Sequence, residues 1–151
     1  MFKSTESQAI SILQSDESHE HKLLCIARLL SEQIPHYNWV GFYFMNDQTQ
    51  ILELGPYVGI PTDHIRIPYG KGICGQVAVS GETFVVQDVH AQENYISCSI
   101  NVQSEVVVPI YSNEKLVAQL DIDSDYKSPF TDEDQRFLEG LCEEIGQVWP
   151  D

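Results

Sequence analysis

The chain has 151 residues, with 8 Lys+Arg against 23 Asp+Glu, a formal charge of −15 and 42% hydrophobic residues. That length suits one domain over residues 1–151 with a single core, and the acidic balance excludes the basic footprint that nucleic acids and anionic membrane surfaces attract. No apolar run approaches the ~20 residues that span a bilayer, and the opening Met1-Phe2-Lys3-Ser4 lacks the apolar core of a signal peptide, so a cytoplasmic protein is expected.

Weak helical spacing through Ala9, Ile10 and Leu13 predicts a helix over residues 4–15. A clearer one opens at Ser18-His19-Glu20, carries Leu23, Ile26, Ala27, Leu30 and Ile34 on one face, and stops at Pro35. Cys25 falls off that face. The aromatic run at 38–46 reads as a strand, with Trp39, Gly41 and Tyr43 on one side and Val40, Phe42 and Phe44 on the other. A turn at 46–48 leads to a strand over 51–54, broken by Gly55-Pro56, and a short strand covers 64–68.

Residues 70–75, GKGICG, fit G-x-G-x-x-G, but a dinucleotide fold needs a parallel βαβ unit, and these neighbours look antiparallel. A glycine turn opening a short helix over 73–79, ending at Ser80-Gly81, is the better reading. It places Cys74 in the first turn, where the helix dipole lowers a thiol pKa. A brief strand at 83–86 precedes a long polar stretch, 87–104, of the kind that is usually functional or disordered. Strands over 105–111 and 115–122 follow, joined by a hairpin at 112–114. Thr131 then caps a last helix whose apolar face is Phe137, Leu138, Leu141, Ile145 and Val148, with Cys142 at its edge. This order predicts an α+β fold: an antiparallel sheet with helices packed on one face.

Four cysteines, Cys25, Cys74, Cys98 and Cys142, show neither CxxC nor the Cys/His spacing of structural zinc. In a reducing compartment that leaves packed or reactive thiols. Cys98 lies in a polar loop among Tyr95, Ser97, Ser99 and Asn101, where a reactive thiol fits better than a packed one.

Asp121, Asp123 and Asp125 open like a calcium loop, yet Tyr126 stands where that loop needs glycine and Asp132 where it needs glutamate. On a strand, Asp121 and Asp123 instead share a face, which is unfavourable unless a cation sits there or one acid is protonated; a solvated strand end is the alternative. With Glu105 at the start of the neighbouring strand, the acids suit a ligand ammonium group and can retain a proton near neutral pH. Trp39 and Tyr43 either wall such a pocket or are simply core.

Taken together, NWVGFY at 38–43, LGP at 54–56, RIP at 66–68, GKGICG at 70–75, DVH at 88–90, ISC at 96–98, SE at 104–105 and LDIDS at 120–124 resemble the free methionine-(R)-sulfoxide reductases. The resemblance implies a GAF fold, a central antiparallel sheet of about six strands with the N- and C-terminal helices on one face. It implies reduction of the free amino acid's R-sulfoxide without metal or prosthetic cofactor, recycling by thioredoxin or another thiol, and a homodimer. Carried over by position, Cys98 is the catalytic cysteine and Cys74 a second cysteine of the motif. Glu105, Asp121 and Asp123 hold the substrate, and Trp39 and Tyr43 enclose it. Two positions depart from the family: His64 stands where a resolving cysteine is expected, and Ser99 replaces an aspartate after the catalytic cysteine. The alternative function is a non-catalytic GAF module that binds a small metabolite or senses redox state through Cys98.

Overall fold

A computed structural model describes residues 2–92, 95 and 101–151. Its centre is a six-stranded sheet in the order β3-β2-β1-β6-β5-β4, with every recorded neighbour pairing antiparallel. The strands are β1 (Trp39–Asn46), β2 (Ile51–Val58), β3 (Arg66–Pro68), β4 (Phe84–Val86), β5 (Ser104–Ser112) and β6 (Lys115–Ser124). The helices are α1 (Lys3–Leu13), α2 (His19–Gln33), α3 (Gly72–Ser80) and α4 (Asp132–Gln147), with a 3-10 turn at Val89–Ala91.

Period-two alternation divides the sheet between two cores. Val40 and Phe42 of β1, Val106, Val108 and Ile110 of β5, and Ala118, Leu120 and Ile122 of β6 pack against α1, α2 and α4. Trp39, Tyr43 and Val107 face the other way, toward Ile73, Cys74 and Val77 of α3. The terminal helices therefore share one face as the pattern predicted, and α3 covers the opposite one. No helix among the described residues is long and apolar enough to cross a membrane.

Local chemistry accounts for the ends of these elements. Ser18 accepts a hydrogen bond from His21 N at the start of α2. Thr131 and Asp134 form a reciprocal capping box on α4, the kind of cap worth about 1 kcal/mol. The hairpin turn is Asn113-Glu114, with φ of 52° and 66°, the left-handed pair whose twist matches antiparallel strands. Gly70 and Gly72 have φ of 89° and 62°, and Gly70 N donates to Gly75 O at 2.8 Å. The glycine motif is thus a tight turn into α3, as expected.

Several expectations need correction. β2 does not end at Gly55-Pro56. Gly41 pairs with Tyr57 and Tyr43 with Leu54, so Gly55 and Pro56 together oppose Phe42. This is a bulge, and a bulge tolerates a proline that cannot donate to the ladder. β3 is confined to Arg66–Pro68. Val148 is the α4 C-cap and 44% exposed, so it does not continue the buried stripe, whereas Cys142 is buried within it. The reading of Cys98, Ser99 and the rest of the segment 96–100 falls outside the described residues.

Candidate active site

Two adjacent strands, β5 and β6, carry acids to the face covered by α3, and β1 lies beside them. Glu105 of β5 pairs with Asp123 of β6, which pairs on its other side with Trp39 of β1; one pleat along, Asp121 lies between Val107 and Gly41. Glu105, Asp121 and Asp123 are 5%, 1% and 2% exposed. They do not form a solvated strand end. Like charges side by side on a sheet are destabilising, so this cluster is kept for something other than stability.

Gly41 opens the floor beside them. A Cβ there would meet the Trp39 ring at 2.5 Å and Tyr57 Cβ at 2.8 Å, so the missing side chain lets the indole lie over the strand. Trp39 stacks on Tyr57 at 5.4 Å and on Tyr43 at 6.5 Å between ring centroids, and its Nε1 donates to Ile60 O at 3.0 Å. Tyr43 Oη donates to His64 O at 2.8 Å. The segment carrying His64 is thereby tied to the aromatic wall. Half-buried Tyr95 packs on the same core.

Cys74, in the first turn of α3, faces the acids. Its Sγ lies 3.8 Å from Glu105 Oε2, and ligand atoms of Cys74, Glu105 and Asp121 all fall within 4.8 Å of one another. The helix-dipole expectation for this thiol is overturned. Burial, then the charges of Asp121 and Glu105, push the Cys74 thiol well above its ordinary range, because carboxylates at contact distance outweigh one turn of helix. Burial likewise raises Asp121 above the usual carboxylate range, a rise that hydrogen bonds with Glu105 and Cys74 only partly offset. The site is therefore built to keep protons, and a carboxyl that keeps one can serve as a general acid.

Gln119 was not singled out from the sequence. It lies two residues before Asp121 on the same strand face, is fully buried, and donates through Nε2 to Cys74 O at 3.2 Å. Period two from Asp121 and Asp123 was the available signal. Tyr57 was missed too, since only the β2 bulge brings it onto Trp39. Of the described cysteines, Cys74 alone is on this face: Cys142 belongs to the helical core and half-buried Cys25 sits on α2, 3.4 Å from His21 Nε2.

Residues 26–149 match the model of the GAF domain family. The chain is 39% identical to Protein YtsP of Bacillus subtilis over 117 residues, covering 78% of this chain and 71% of that protein. It is 33% identical to the free methionine-R-sulfoxide reductase of Escherichia coli over 138 residues, 91% of this chain and 82% of that one. Among solved structures, the X-ray structure of free methionine-R-sulfoxide reductase from Neisseria meningitidis in complex with its substrate superposes with a TM-score of 0.92. It is 32% identical and covers 97% of this chain and 87% of that chain.

Proposed function

We infer the activity from family membership: the chain belongs to the free methionine-R-sulfoxide reductases, proteins built on a GAF domain. The reaction is the reduction of free methionine-R-sulfoxide to methionine, and the protein is an oxidoreductase.

The observation that carries the site assignment is the burial of Glu105, Asp121 and Asp123 on one sheet face beside Trp39 and Tyr43. Crowded acids in a water-poor setting favour a cationic guest, which suits the ammonium group of a free amino acid. A methionine inside a peptide lacks that charge, so the acids also select against protein-bound sulfoxide. The aromatic wall takes the apolar side chain. Cys98 is the nucleophile, a role supported by the family motif ISC at 96–98 and by its polar sequence setting.

In the reaction, the Cys98 sulfur bonds to the sulfoxide sulfur while an acid of the Glu105, Asp121 and Asp123 cluster, where burial raises Asp121 above the usual carboxylate range, gives its proton to the oxygen. The oxygen passes to Cys98, methionine leaves, and the thiol proton returns to the carboxylate. Cysteine has lost two electrons to the sulfoxide and is now a sulfenic acid. Cys74 then condenses with it, releasing water and forming a disulfide, with Glu105 3.8 Å away to accept the Cys74 proton. Thioredoxin or another dithiol reduces that disulfide. Cys74 takes this role because His64 occupies the position of the expected resolving cysteine. The working protein is a single GAF domain and a cytoplasmic homodimer, features supported by the family resemblance, and no metal or prosthetic group enters the chemistry.

Incubating the reduced protein with free methionine-R-sulfoxide, without and then with thioredoxin or dithiothreitol, tests the reading. One equivalent of methionine is expected without reductant and turnover with it; Cys98→Ser gives none. No methionine from the wild type under either condition sinks the reductase assignment and leaves the sensing module.

A further inference from the structure

The acid face also has the make-up of a metal site. Cys74, Glu105 and Asp121 are buried and bring one sulfur and two carboxylate oxygens within 4.8 Å of one another. Around one tetrahedral zinc, with bonds of about 2.3 Å to sulfur and 2.0–2.2 Å to oxygen, ligand atoms sit about 3.3–3.8 Å apart. Cys74 Sγ and Glu105 Oε2 already stand at 3.8 Å. The same strand face leaves buried oxygens unsatisfied: Asp121 Oδ1, and Oε1 of the Gln119 amide that donates to Cys74 O at 3.2 Å, have no hydrogen-bond partner among the described residues.

We propose that Cys74, Glu105 and Asp121 bind a thiophilic divalent cation of the zinc class, and that this cation competes with the substrate. The thiolate selects a soft cation over magnesium or calcium, which prefer all-oxygen shells. The two carboxylates supply charge, and binding expels the thiol proton to solvent. Three protein ligands leave a fourth position open. A double positive charge satisfies the crowded acids as an ammonium group does, so the two guests exclude each other. The competition rests on the reading of this face as the seat of the ammonium; the cation binding does not.

Cobalt(II) titrated into the fully reduced protein tests the proposal, because a cobalt–thiolate bond gives a charge-transfer band in the near ultraviolet. The expected result is a band that saturates at one cobalt per chain, is absent in Cys74→Ser and Cys74→Ala, and survives Cys25→Ser. Asp121→Asn weakens binding more than ~10-fold, as loss of a ligand charge should. Circular dichroism verifies that each variant is folded. No band, or a band undiminished in both Cys74 variants, overturns the site. In Cys98→Ser, which does not consume the sulfoxide, free methionine-R-sulfoxide should displace the cobalt; failure to displace it overturns the competition. A protein that binds cobalt through Cys74 yet forms no methionine when metal-free keeps the cation site and loses the reductase reading.

Discussion

Asp121→Asn removes one buried charge while keeping the side chain's shape, and its effect on stability can be worked from the site. Carboxylate oxygens of Asp121 and Glu105 lie within 4.8 Å, where two full charges at an effective dielectric of 20 repel by about 3.5 kcal/mol. Taking a proton instead costs about 1.4 kcal/mol for each unit between the ordinary carboxyl pKa and ambient pH, about 4 kcal/mol at pH 7. The smaller of the two bounds what the fold loses in the ligand-free state. An asparagine avoids both and can donate to Glu105. We therefore expect the substitution to stabilise the free protein at neutral pH by about 2 kcal/mol, a rise in Tm of roughly 4–8 °C for a chain of this size.

The sign with pH follows from the direction of the shift. Asp121 has a folded-state pKa raised by burial, so the wild type is penalised once pH exceeds the unfolded value. The penalty grows up to the raised folded value and is constant above it. The advantage of the Asp121→Asn variant should accordingly be largest near pH 8 and shrink toward pH 4. Thermal melts of both proteins across that range check this, and a variant that is less stable at pH 7, or whose advantage does not change with pH, refutes the electrostatic reasoning. The same substitution should raise KM for the free sulfoxide at least ~30-fold, since it removes a buried charge partner worth about 2–5 kcal/mol.

Other elements yield further outcomes. Gly41→Ala places a methyl against Trp39 and Tyr57; overpacking of this kind costs about 1–3 kcal/mol, and displacement of the indole should raise KM more than it lowers kcat in steady-state assays. Asp134→Ala loses bonds from Tyr37 Oη at 2.7 Å and the Thr131 backbone at 2.8 Å, together with the 2.8 Å contact to His36. Urea melts should show a loss of about 2–4 kcal/mol. Those bonds hold the Asp134 carboxyl below its ordinary range despite burial, so its stabilisation is present above the unfolded value and fades as pH falls through the folded one. Gln119→Leu removes a donor to the Cys74 carbonyl but also a buried acceptor without a partner among the described residues. Its effect on ΔG of unfolding should stay within about 1 kcal/mol, while a loosened α3 should slow thioredoxin-linked turnover.

Periodicity and punctuation are local properties, and they carried most of the fold. The alternation in β1 separated Trp39 and Tyr43 from Val40 and Phe42, and the Thr131–Asp134 spacing located the start of α4, because both depend only on nearest-neighbour geometry. The spacing of Asp121 and Asp123 likewise placed two acids on one face. Sequence spacing could not say whether that face was wet or dry. Only the packing of α3 over β5 and β6 decided that it is buried, which turned a solvated strand end into a proton-holding site. The same packing reversed the expectation for Cys74: dipole proximity is visible in a helix start, whereas contact with Glu105 and Asp121 joins residues 31 and 47 positions apart, the sulfur lying 3.8 Å from Glu105. The bulge at Gly55-Pro56 and the role of Gln119 are of this second kind. Each depends on what lies across the sheet, and no local pattern records it.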